Sequence, residues 1–276
     1  MHLKRWITGL IALPFLVFLI YKGGNFFTGL ASVACLLALC EYFRIVFNPE
    51  GKTISGIILL IGLASGQCMI WAAHGNAYGL ILGAIAFNLI ISALFSLSQF
   101  KSDSFILENV AKQIQGIVYI PLFLSFLVLI RNGTDGMTWI FFLILTIFAG
   151  DTGAFYAGRL MGRHKLCPSV SPGKTIEGSV GGLAANVAVG IVFKSFFIPT
   201  LTWGWGILLF LSIGIAGQVG DLFESEFKRF SGVKDSGVIL PGHGGILDRI
   251  DALLFAAPVA YLFKEYILPA LLGSDC

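Results

Sequence analysis

Three aspartates flank apolar runs in the last quarter of the chain and are candidates for binding a metal ion. Asp221 follows the run LLFLSIGIAGQVG, whereas Asp248 and Asp251 precede the last apolar run and, three residues apart, would share one helix face. Because a carboxylate inside a membrane costs about 2.5 to 3.5 kcal/mol on insertion scales, a compensating cation is expected. Oxygen ligands of this kind suit Mg²⁺, which also bridges to phosphates. We therefore predict a Mg²⁺ site, with the alternative that Asp248 and Asp251 only cap a helix and pair with Arg249.

The segment between these aspartates carries groups that are suited to phosphate. Its glycine-rich run PGHGG, residues 241–245, forms a turn whose backbone amides can approach an anion, and His243 can donate to a phosphate. Lys and Arg bind phosphate through charge-assisted hydrogen bonds. The basic residues of the segment are Lys228, Arg229, Lys234 and Arg249. The alternative for these basic residues is that they only mark membrane topology, by facing anionic lipid headgroups.

The charged residues are concentrated in two short segments. The chain has 18 Lys and Arg residues and 15 Asp and Glu residues, and sixteen of them lie in residues 151–177 and 221–251. In the first of these segments, Asp151 and Arg159 are eight residues apart, about two helical turns, so they would lie on roughly the same helix face. Both are candidates for substrate contact, and an ion pair between them is the alternative.

The run SPGKTIEG is similar to the end of a phosphate-binding loop. Its Ser171, Lys174 and Thr175 form a compact set of phosphate donors before a predicted helix N-terminus, which itself favours anions. The spacing of a Walker A loop is not met, because Pro168 stands where the first glycine is required. Glu177 is a further candidate for substrate binding, or only an acid in the first turn of the helix.

Membrane helices are the elements that must position these groups. Hydrophobic residues make up 57% of the chain and charged residues 12%, whereas roughly a quarter of the residues of soluble domains are charged. The formal charge of +3, without a nucleic-acid-binding motif, argues against a nucleic-acid partner. The five cysteines form no CxxC pair and no metal-ligand spacing. Composition therefore predicts an all-α polytopic membrane protein.

Nine apolar segments approach the length of about 20 residues that a transmembrane helix needs. We predict one integral membrane domain, in which residues 1–131 form a helical scaffold and residues 138–276 hold the catalytic helices and loops. Gly178 and Gly182, four residues apart, favour close packing of helices. The predicted spans are residues 6–21, 26–43, 54–73, 77–98, 114–130, 138–158, 177–198, 203–222 and 251–268.

The distribution of basic residues predicts the orientation of these spans. A cytoplasmic N-terminus places 14 of the 18 Lys and Arg residues on the cytoplasmic side, where positive loops accumulate. Only Lys22, Arg131, Lys194 and Lys264 then lie on the other side. Both charged segments face the cytoplasm in this topology, so a nucleotide can reach them from there.

The segment from Ser225 to Asp251 follows a long pattern of fixed spacing. It has Ser, two residues, Lys-Arg, four residues, Lys-Asp, then a His-Gly-Gly core and Asp-Arg-x-Asp. The matching residues are Ser225, Lys228, Arg229, Lys234, Asp235, Gly237, Leu240, Pro241, His243, Gly244, Gly245, Asp248, Arg249 and Asp251. This pattern resembles the signature of the phosphatidate cytidylyltransferases, also called CDP-diacylglycerol synthases. The upstream runs DTGAFYAGRLMGR and SPGKTIEG are similar to that family's second conserved block.

The resemblance implies an enzyme of phospholipid biosynthesis in the plasma (inner) membrane. It would transfer the cytidylyl group of CTP to phosphatidate, giving CDP-diacylglycerol and pyrophosphate, with Mg²⁺ held by Asp221, Asp248 and Asp251. A homodimer, and a monovalent cation such as K⁺ beside Mg²⁺, are also implied. The predicted catalytic residues are Asp221, Asp248, Asp251, Lys228, Arg229, His243 and Arg249. The predicted substrate-binding residues are Asp151, Arg159, Ser171, Lys174, Thr175, Glu177, Lys234, Asp235, Gly244 and Gly245.

The chemistry of the lipid substrate argues against an obligatory catalytic base. A phosphate monoester has a second pKa of about 6, so phosphatidate is largely dianionic at neutral pH and can itself attack the α-phosphorus of CTP. The difficulty is to bring two polyanions together, which requires positioning and neutralisation by Mg²⁺ and basic side chains. We therefore assign His243 to phosphate contact or loop geometry rather than to proton abstraction.

Two other functions compete with this interpretation. A CTP-dependent membrane lipid kinase would transfer the γ-phosphoryl group to a lipid alcohol and release CDP instead of pyrophosphate. A transporter would also place charged residues in membrane helices, although the sequence has no convincing inverted repeat. A CDP-alcohol phosphotransferase is disfavoured because its DGxxAR motif is missing.

Overall fold

The computed structural model describes residues 13–47, 55–101, 105–237, 239 and 244–272. Within these residues the chain is built almost entirely of helices. Their limits are Leu13–Lys22 (α1), Gly24–Phe47 (α2), Gly56–His74 (α3), Tyr78–Gln99 (α4), Ile106–Ile117 (α5), Phe123–Asn132 (α6), Gly136–Met161 (α7), Ile176–Phe196 (α8), Trp203–Phe230 (α9), Leu247–Leu262 (α10) and Leu268–Leu272 (α11).

Eight segments of the described chain are long and apolar enough to cross a membrane. They coincide with the second to ninth predicted spans, so the prediction of an all-α polytopic membrane protein is confirmed. The first predicted span, residues 6–21, lies partly outside the described residues, and its described part belongs to α1, which is shorter than the other spans. The eight segments are α2, α3, α4, Ile106–Asn132, α7, α8, α9 and Leu247–Ala270.

Two spans begin or end about eight residues away from their predicted limits. The fifth begins at Ile106 rather than 114, because the amphipathic run ILENVAKQ continues the helix although its hydropathy is low. A π-helical turn, Val118–Leu122, joins α5 to α6 and contains Pro121, which has no N–H for the helical ladder. In the same way α9 continues through charged residues to Phe230 instead of ending at 222.

A short β-hairpin interrupts the helices between α7 and α8. Strand β1, Lys165–Cys167, pairs antiparallel with β2, Ser171–Thr175. Thr175 is then the N-cap of α8, and its hydroxyl oxygen accepts a hydrogen bond from the Gly178 amide at 3.1 Å. The hairpin therefore leads the chain directly into the next span.

The chain forms two compact units. The first comprises residues 1–132 and 227–249, and the second comprises residues 133–226 and 250–276. Residues 227–249 group with the N-terminal helices. The division into a scaffold, residues 1–131, and a catalytic part, residues 138–276, stays a prediction. Helices α9 and α10 each contribute residues to both units.

The first unit combines an aromatic core with polar bonds between helices. Tyr42 of α2 is fully buried, and its ring packs edge-on against Phe227 with a centroid distance of 5.2 Å. Between helices α4 and α5, the Ser92 hydroxyl donates to Gln113 Oε1 at 2.8 Å, and Gln113 Nε2 donates to the Ile58 carbonyl of α3 at 3.3 Å. Such bonds hold helices together where lipid offers no polar partner.

In the second unit, α7 and α8 approach each other closely along small residues. A Cβ atom added to Gly178 would lie 2.9 Å from the Ala154 carbonyl oxygen, and one added to Gly182 would lie 2.9 Å from the Gly150 carbonyl oxygen. The two backbones therefore meet as the spacing of Gly178 and Gly182 predicts. This packing forms one wall of the cavity described next.

Candidate functional site

A cavity of about 610 Å³ lies within the second unit. Five of the predicted site residues line it: Asp151, Arg159, Lys174, Thr175 and Asp221. They come from three elements, α7, β2 and α9. The cavity is thus the place where residues of the two charged segments meet inside one unit.

The helical period explains how α7 supplies one side of this cavity. Residues 147, 151, 154, 155 and 158 of α7 line it at spacings of three and four, which is one helix face. Asp151 and Arg159 lie on that face, as their eight-residue spacing predicts. Apolar side chains of the same cavity include Phe155 and Leu166. The cavity therefore combines charged groups with apolar surface.

The hairpin brings a lysine to a carboxylate of α9. Lys174 Nζ lies 2.6 Å from Asp221 Oδ2, and both side chains remain partly exposed, at 28% and 35%. A partly exposed ion pair contributes little net stability, because solvent screens it. Lys174 can therefore exchange this partner for a phosphate at small cost. The carboxylate at the end of the apolar run is compensated by this lysine.

Asp251 is held close to the helix that carries Asp221. A Cβ added to Gly220, the neighbour of Asp221, would lie 2.5 Å from the Asp251 carbonyl oxygen. Only a residue without a side chain permits this approach of α9 and α10. Ala252, which follows Asp251, lines the cavity. Within the second unit, two of the three predicted metal-binding aspartates therefore come from closely packed helices.

The sequence patterns did not reveal three polar residues of the cavity wall. Gln218 of α9 and Ser179 of α8 bond to each other, and Gln218 Nε2 also donates to the Ser179 carbonyl at 3.0 Å. Asn186 of α8 is only 2% exposed, and its Oδ1 has no hydrogen-bond partner among the described residues. The available signal was a polar amide inside an apolar span, which is rare and commonly functional.

Asn186 occupies space that two glycines leave open. A Cβ added to Gly150 of α7 or to Gly214 of α9 would overlap the Asn186 amide. Both glycines and Asn186 line the cavity. The amide is therefore built into the wall between α7 and α9, and its buried oxygen has no hydrogen-bond partner among the described residues.

Two residues predicted to bind substrate are used elsewhere in the second unit. Glu177 accepts hydrogen bonds from the Arg163 amide at 3.1 Å and from the His164 amide, and it contacts His164 Nδ1 at 2.6 Å. It thereby ties the end of the α7–β1 connection to α8, which favours the structural alternative for this acid. Ser171 pairs with Cys167 in the hairpin. Neither Glu177 nor Ser171 is among the described residues that line the cavity.

In the first unit, Asp248 lies at the centre of a buried hydrogen-bond network. Its Oδ1 lies 2.8 Å from Lys228 Nζ, and its Oδ2 accepts bonds from the Ser236 amide at 2.9 Å and the Gly245 amide at 2.8 Å. Gly244 adopts a positive φ of 79°, and a Cβ there would lie 2.5 Å from Asp248 Oδ2. The carboxylate therefore organises the residues that precede α10 as well as facing Lys228.

Four further signature residues are exposed. Arg229 lies at the end of α9, Arg249 lies in the first turn of α10, and Lys234 and Asp235 lie in the segment that follows α9. His243, Leu240 and Pro241 lie outside the described residues. The roles assigned to Arg229, Arg249, Lys234, Asp235 and His243 stay predictions.

The predicted metal set also stays a prediction. Asp221 and Asp251 belong to the second unit, whereas Asp248 belongs to the first. Across the part of the chain that the structure describes, no three His, Cys, Asp or Glu side chains form a group that could hold a metal ion by themselves. Mg²⁺ requires fewer protein ligands than this, because it is commonly bound by one or two carboxylates together with water and substrate phosphates.

Comparison with known proteins shows extended similarity. Residues 3–267 match the model of the cytidylyltransferase family. The phosphatidate cytidylyltransferase of Staphylococcus epidermidis is 36% identical over 258 residues, covering 92% of this chain and 96% of that protein. Those of Staphylococcus haemolyticus and Staphylococcus aureus are 36% and 34% identical over 261 residues, with the same coverage of each chain. The similarity therefore includes both units.

Proposed function

The chain belongs to the cytidylyltransferase family, and from this we propose that it transfers the cytidylyl group of CTP to phosphatidate. The relatives that carry the name phosphatidate cytidylyltransferase match it over nearly their whole length. The observation that carries the proposal is the cavity of the second unit, which combines Arg159 and Lys174 with carboxylates and apolar surface. These are the groups that two phosphate-bearing substrates, one of them a lipid, require.

In the proposed reaction a phosphate oxygen of phosphatidate forms a new bond to the α-phosphorus of CTP. The bond between the α-phosphorus and the oxygen that bridges to the β-phosphorus breaks, and pyrophosphate leaves with the electron pair. The dianionic phosphate needs no general base for this attack. The task of the protein is therefore to hold two anions in line and to neutralise them.

Lys174 and Arg159 are the cavity residues that we assign to phosphate contact. Lys174 is pre-positioned by its ion pair with Asp221 at 2.6 Å and is only partly buried. When a phosphate arrives, the ammonium group can exchange the carboxylate for it at small cost, because the ion pair is partly exposed. Thr175 lies beside it at the start of α8, where the helix N-terminus also favours an anion.

Mg²⁺ is proposed as the cofactor, because the donor set fits it. Asp221 supplies hard oxygen ligands at the cavity, Asp251 lies on the closely packed helix α10, and Asp151 lines the same cavity. The ion, when bound, would neutralise the charge that develops on the phosphates. Asp221 and Asp251 would hold it, and the assignment of Asp248 to the same ion stays a prediction.

The lipid substrate is proposed to reach the cavity from the bilayer. The apolar lining residues Ala154, Phe155 and Leu166 provide surface for the glycerol and the first acyl carbons. CTP is proposed to enter from the cytoplasm, in line with the distribution of basic residues. The site therefore lies where a water-soluble and a membrane-bound substrate can meet.

Product analysis of the purified protein tests this proposal. Full-length protein in phospholipid vesicles, given CTP, Mg²⁺ and phosphatidate, is expected to release pyrophosphate and CDP-diacylglycerol in equal amounts. Omission of phosphatidate is the control, because a pyrophosphate signal without lipid would indicate simple hydrolysis of CTP. A lipid kinase would instead release CDP when it is given a lipid alcohol. It would form neither pyrophosphate nor CDP-diacylglycerol from phosphatidate. Absence of turnover with either lipid would contradict both enzymes.

A further inference from the structure

A buried glutamate of the N-terminal half contacts the signature segment. Glu41 lies in α2 and is only 4% exposed. Its Oε1 accepts a hydrogen bond from the Ile246 amide at 3.1 Å, and its Oε2 accepts one from the Leu247 amide at 2.9 Å. A buried carboxylate is costly unless such bonds satisfy it, so this contact is a specific constraint. Glu41 belongs to the same unit as all the residues it contacts here.

The position of Glu41 makes it the cap of α10. Leu247 is the first residue of α10, and the first amides of a helix have no partner within the helix. A negative charge at this end also interacts favourably with the helix dipole. The cap of this helix therefore comes from a side chain about 200 residues earlier in the chain rather than from the residues just before it.

Two glycines of the signature make room for this carboxylate. A Cβ atom added to Gly237 or to Gly245 would overlap the carboxylate of Glu41. Neither glycine has a positive φ, so a left-handed backbone conformation is not the reason that glycine occupies these two positions. The close approach of Glu41 supplies a physical reason for both. The signature is thus shaped in part by a residue that lies far outside it.

Ser236 connects Glu41 to Asp248. The fully buried Ser236 hydroxyl lies 3.1 Å from Glu41 Oε2 and 2.9 Å from Asp248 Oδ2, and it accepts a bond from the Asp248 amide at 3.3 Å. A hydroxyl has a single proton, so it donates to one of the two carboxylates at a time. On its other side Asp248 pairs with Lys228 at 2.8 Å. A continuous series of contacts therefore leads from α2 to the charged groups of the signature.

We propose that Glu41 is a positioning residue for cytidylyl transfer, which fixes the start of α10 and, through Ser236, the orientation of Asp248 and Lys228. The inference rests on the proposed roles of Asp248 and Lys228 in that reaction. Glu41 acts through these residues and touches neither substrate. Its loss shifts the reacting groups, so it lowers kcat more than it raises the KM for CTP.

The first test is a pair of variants at Glu41. Glu41→Gln keeps the shape of the side chain but replaces one acceptor oxygen with an amide donor, so one of the two backbone amides loses its partner. We expect kcat to fall about 100-fold, because a small misplacement of catalytic groups has an effect of this size. The KM for CTP should change by less than about 3-fold. Glu41→Asp keeps both acceptors on a shorter stem and is expected to recover part of kcat. Glu41→Gln with wild-type kcat, or a loss confined to KM, overturns the inference.

A double-mutant cycle with Ser236 separates positioning from general destabilisation. Ser236→Ala cuts the connection to Asp248 but leaves the bonds of Glu41 to Ile246 and Leu247. If Glu41 acts through Ser236, the Glu41→Gln/Ser236→Ala double variant loses little more kcat than Glu41→Gln alone. Fully additive losses overturn the inference. The matched control is Ser125→Ala, which removes another buried hydroxyl of the first unit. This hydroxyl donates to the Pro121 carbonyl at 2.7 Å, so its loss should leave kcat unchanged.

The same assays distinguish failure of this inference from failure of the proposed function. If the wild-type protein does not release pyrophosphate from CTP and phosphatidate, the proposed function is wrong whatever the variants do. If Asp248→Asn and Lys228→Gln keep wild-type turnover, the roles on which the inference rests are wrong. If these two variants lose turnover and Glu41→Gln does not, only the positioning role of Glu41 is wrong. Should Glu41→Gln fail to accumulate in the membrane, Glu41→Asp and Ser236→Ala decide the matter.

Discussion

The aspartates of the two units have different surroundings although their chemistry is the same. Asp221 in the second unit is 35% exposed, lines a cavity and pairs with Lys174. Asp248 in the first unit is 8% exposed and receives bonds from Lys228, Ser236 and Gly245. A partly exposed pair can change partners when a substrate binds, whereas a buried and satisfied carboxylate holds its neighbours in place. From this comparison we assign exchange of binding partners to Asp221, and the ordering of Ser236 and Gly245 to Asp248.

The largest effects are expected from substitution of these two aspartates, which should reduce turnover equally but stability unequally. Asp221→Asn and Asp248→Asn should each lower turnover about 1,000-fold. Asp221 lines the cavity that we propose as the reaction centre, whereas Asp248 is a predicted metal ligand that also orders the signature residues around it. Their stabilities should differ. Asp248→Asn breaks a largely buried ion pair with Lys228 and should lower the free energy of unfolding by about 3 kcal/mol. Asp221→Asn should lower it by less than about 1 kcal/mol, because its pair is partly exposed.

Turnover and thermal unfolding in the same vesicles measure both quantities. Equal loss of stability in the two variants would remove the distinction between the aspartates. His243→Gln is the companion variant, since no catalytic base is required, and it should keep measurable activity. A loss as large as that of Asp248→Asn would instead make His243 essential to the chemistry.

A smaller effect is expected from the lysine of the hairpin. Lys174→Gln removes the cation that we assign to phosphate contact, and loss of one charged hydrogen bond should lower kcat/KM about 10- to 100-fold. Lys165→Gln is the matched control in the adjacent strand, because Lys165 Nζ donates to the Pro172 carbonyl at 2.8 Å and does not line the cavity. Steady-state kinetics with varied CTP and phosphatidate provide the measurement. Equal effects of the two variants would indicate a general influence of surface charge.

The smallest effect is expected at the amide in the cavity wall. Asn186→Leu has a similar volume and removes a buried polar atom that lacks a partner among the described residues, so it should raise stability by about 1 kcal/mol. If a substrate or its bound water donates to Asn186, kcat/KM should fall about 10-fold at the same time. Thermal unfolding and initial rates measure the two changes. Lower stability with unchanged kinetics would show that the amide serves only to join α7, α8 and α9.

Much of the fold could be predicted because hydropathy is a local property. Eight predicted spans coincide with helices of the structure, and the larger errors arise where a helix continues through polar residues, as in α5 and at the end of α9. The cavity contacts of Asp151 and Arg159 also followed from helical periodicity. By contrast, the sequence shows that Glu41 is an acidic residue inside an apolar run, but nothing in the neighbouring sequence indicates which residues it contacts.

The sequence by itself determined the membrane class of the protein, nearly all of its spans, and the two segments that hold the candidate chemistry. These follow from composition and from spacing over a few residues, where the covalent geometry of the helix leaves little choice. The tertiary structure alone decided that residues 227–249 group with the N-terminal helices, that Lys174 meets Asp221, and that Glu41 caps α10. Contacts of this kind join residues far apart in the chain and depend on how buried polar groups are mutually satisfied, which no local pattern records.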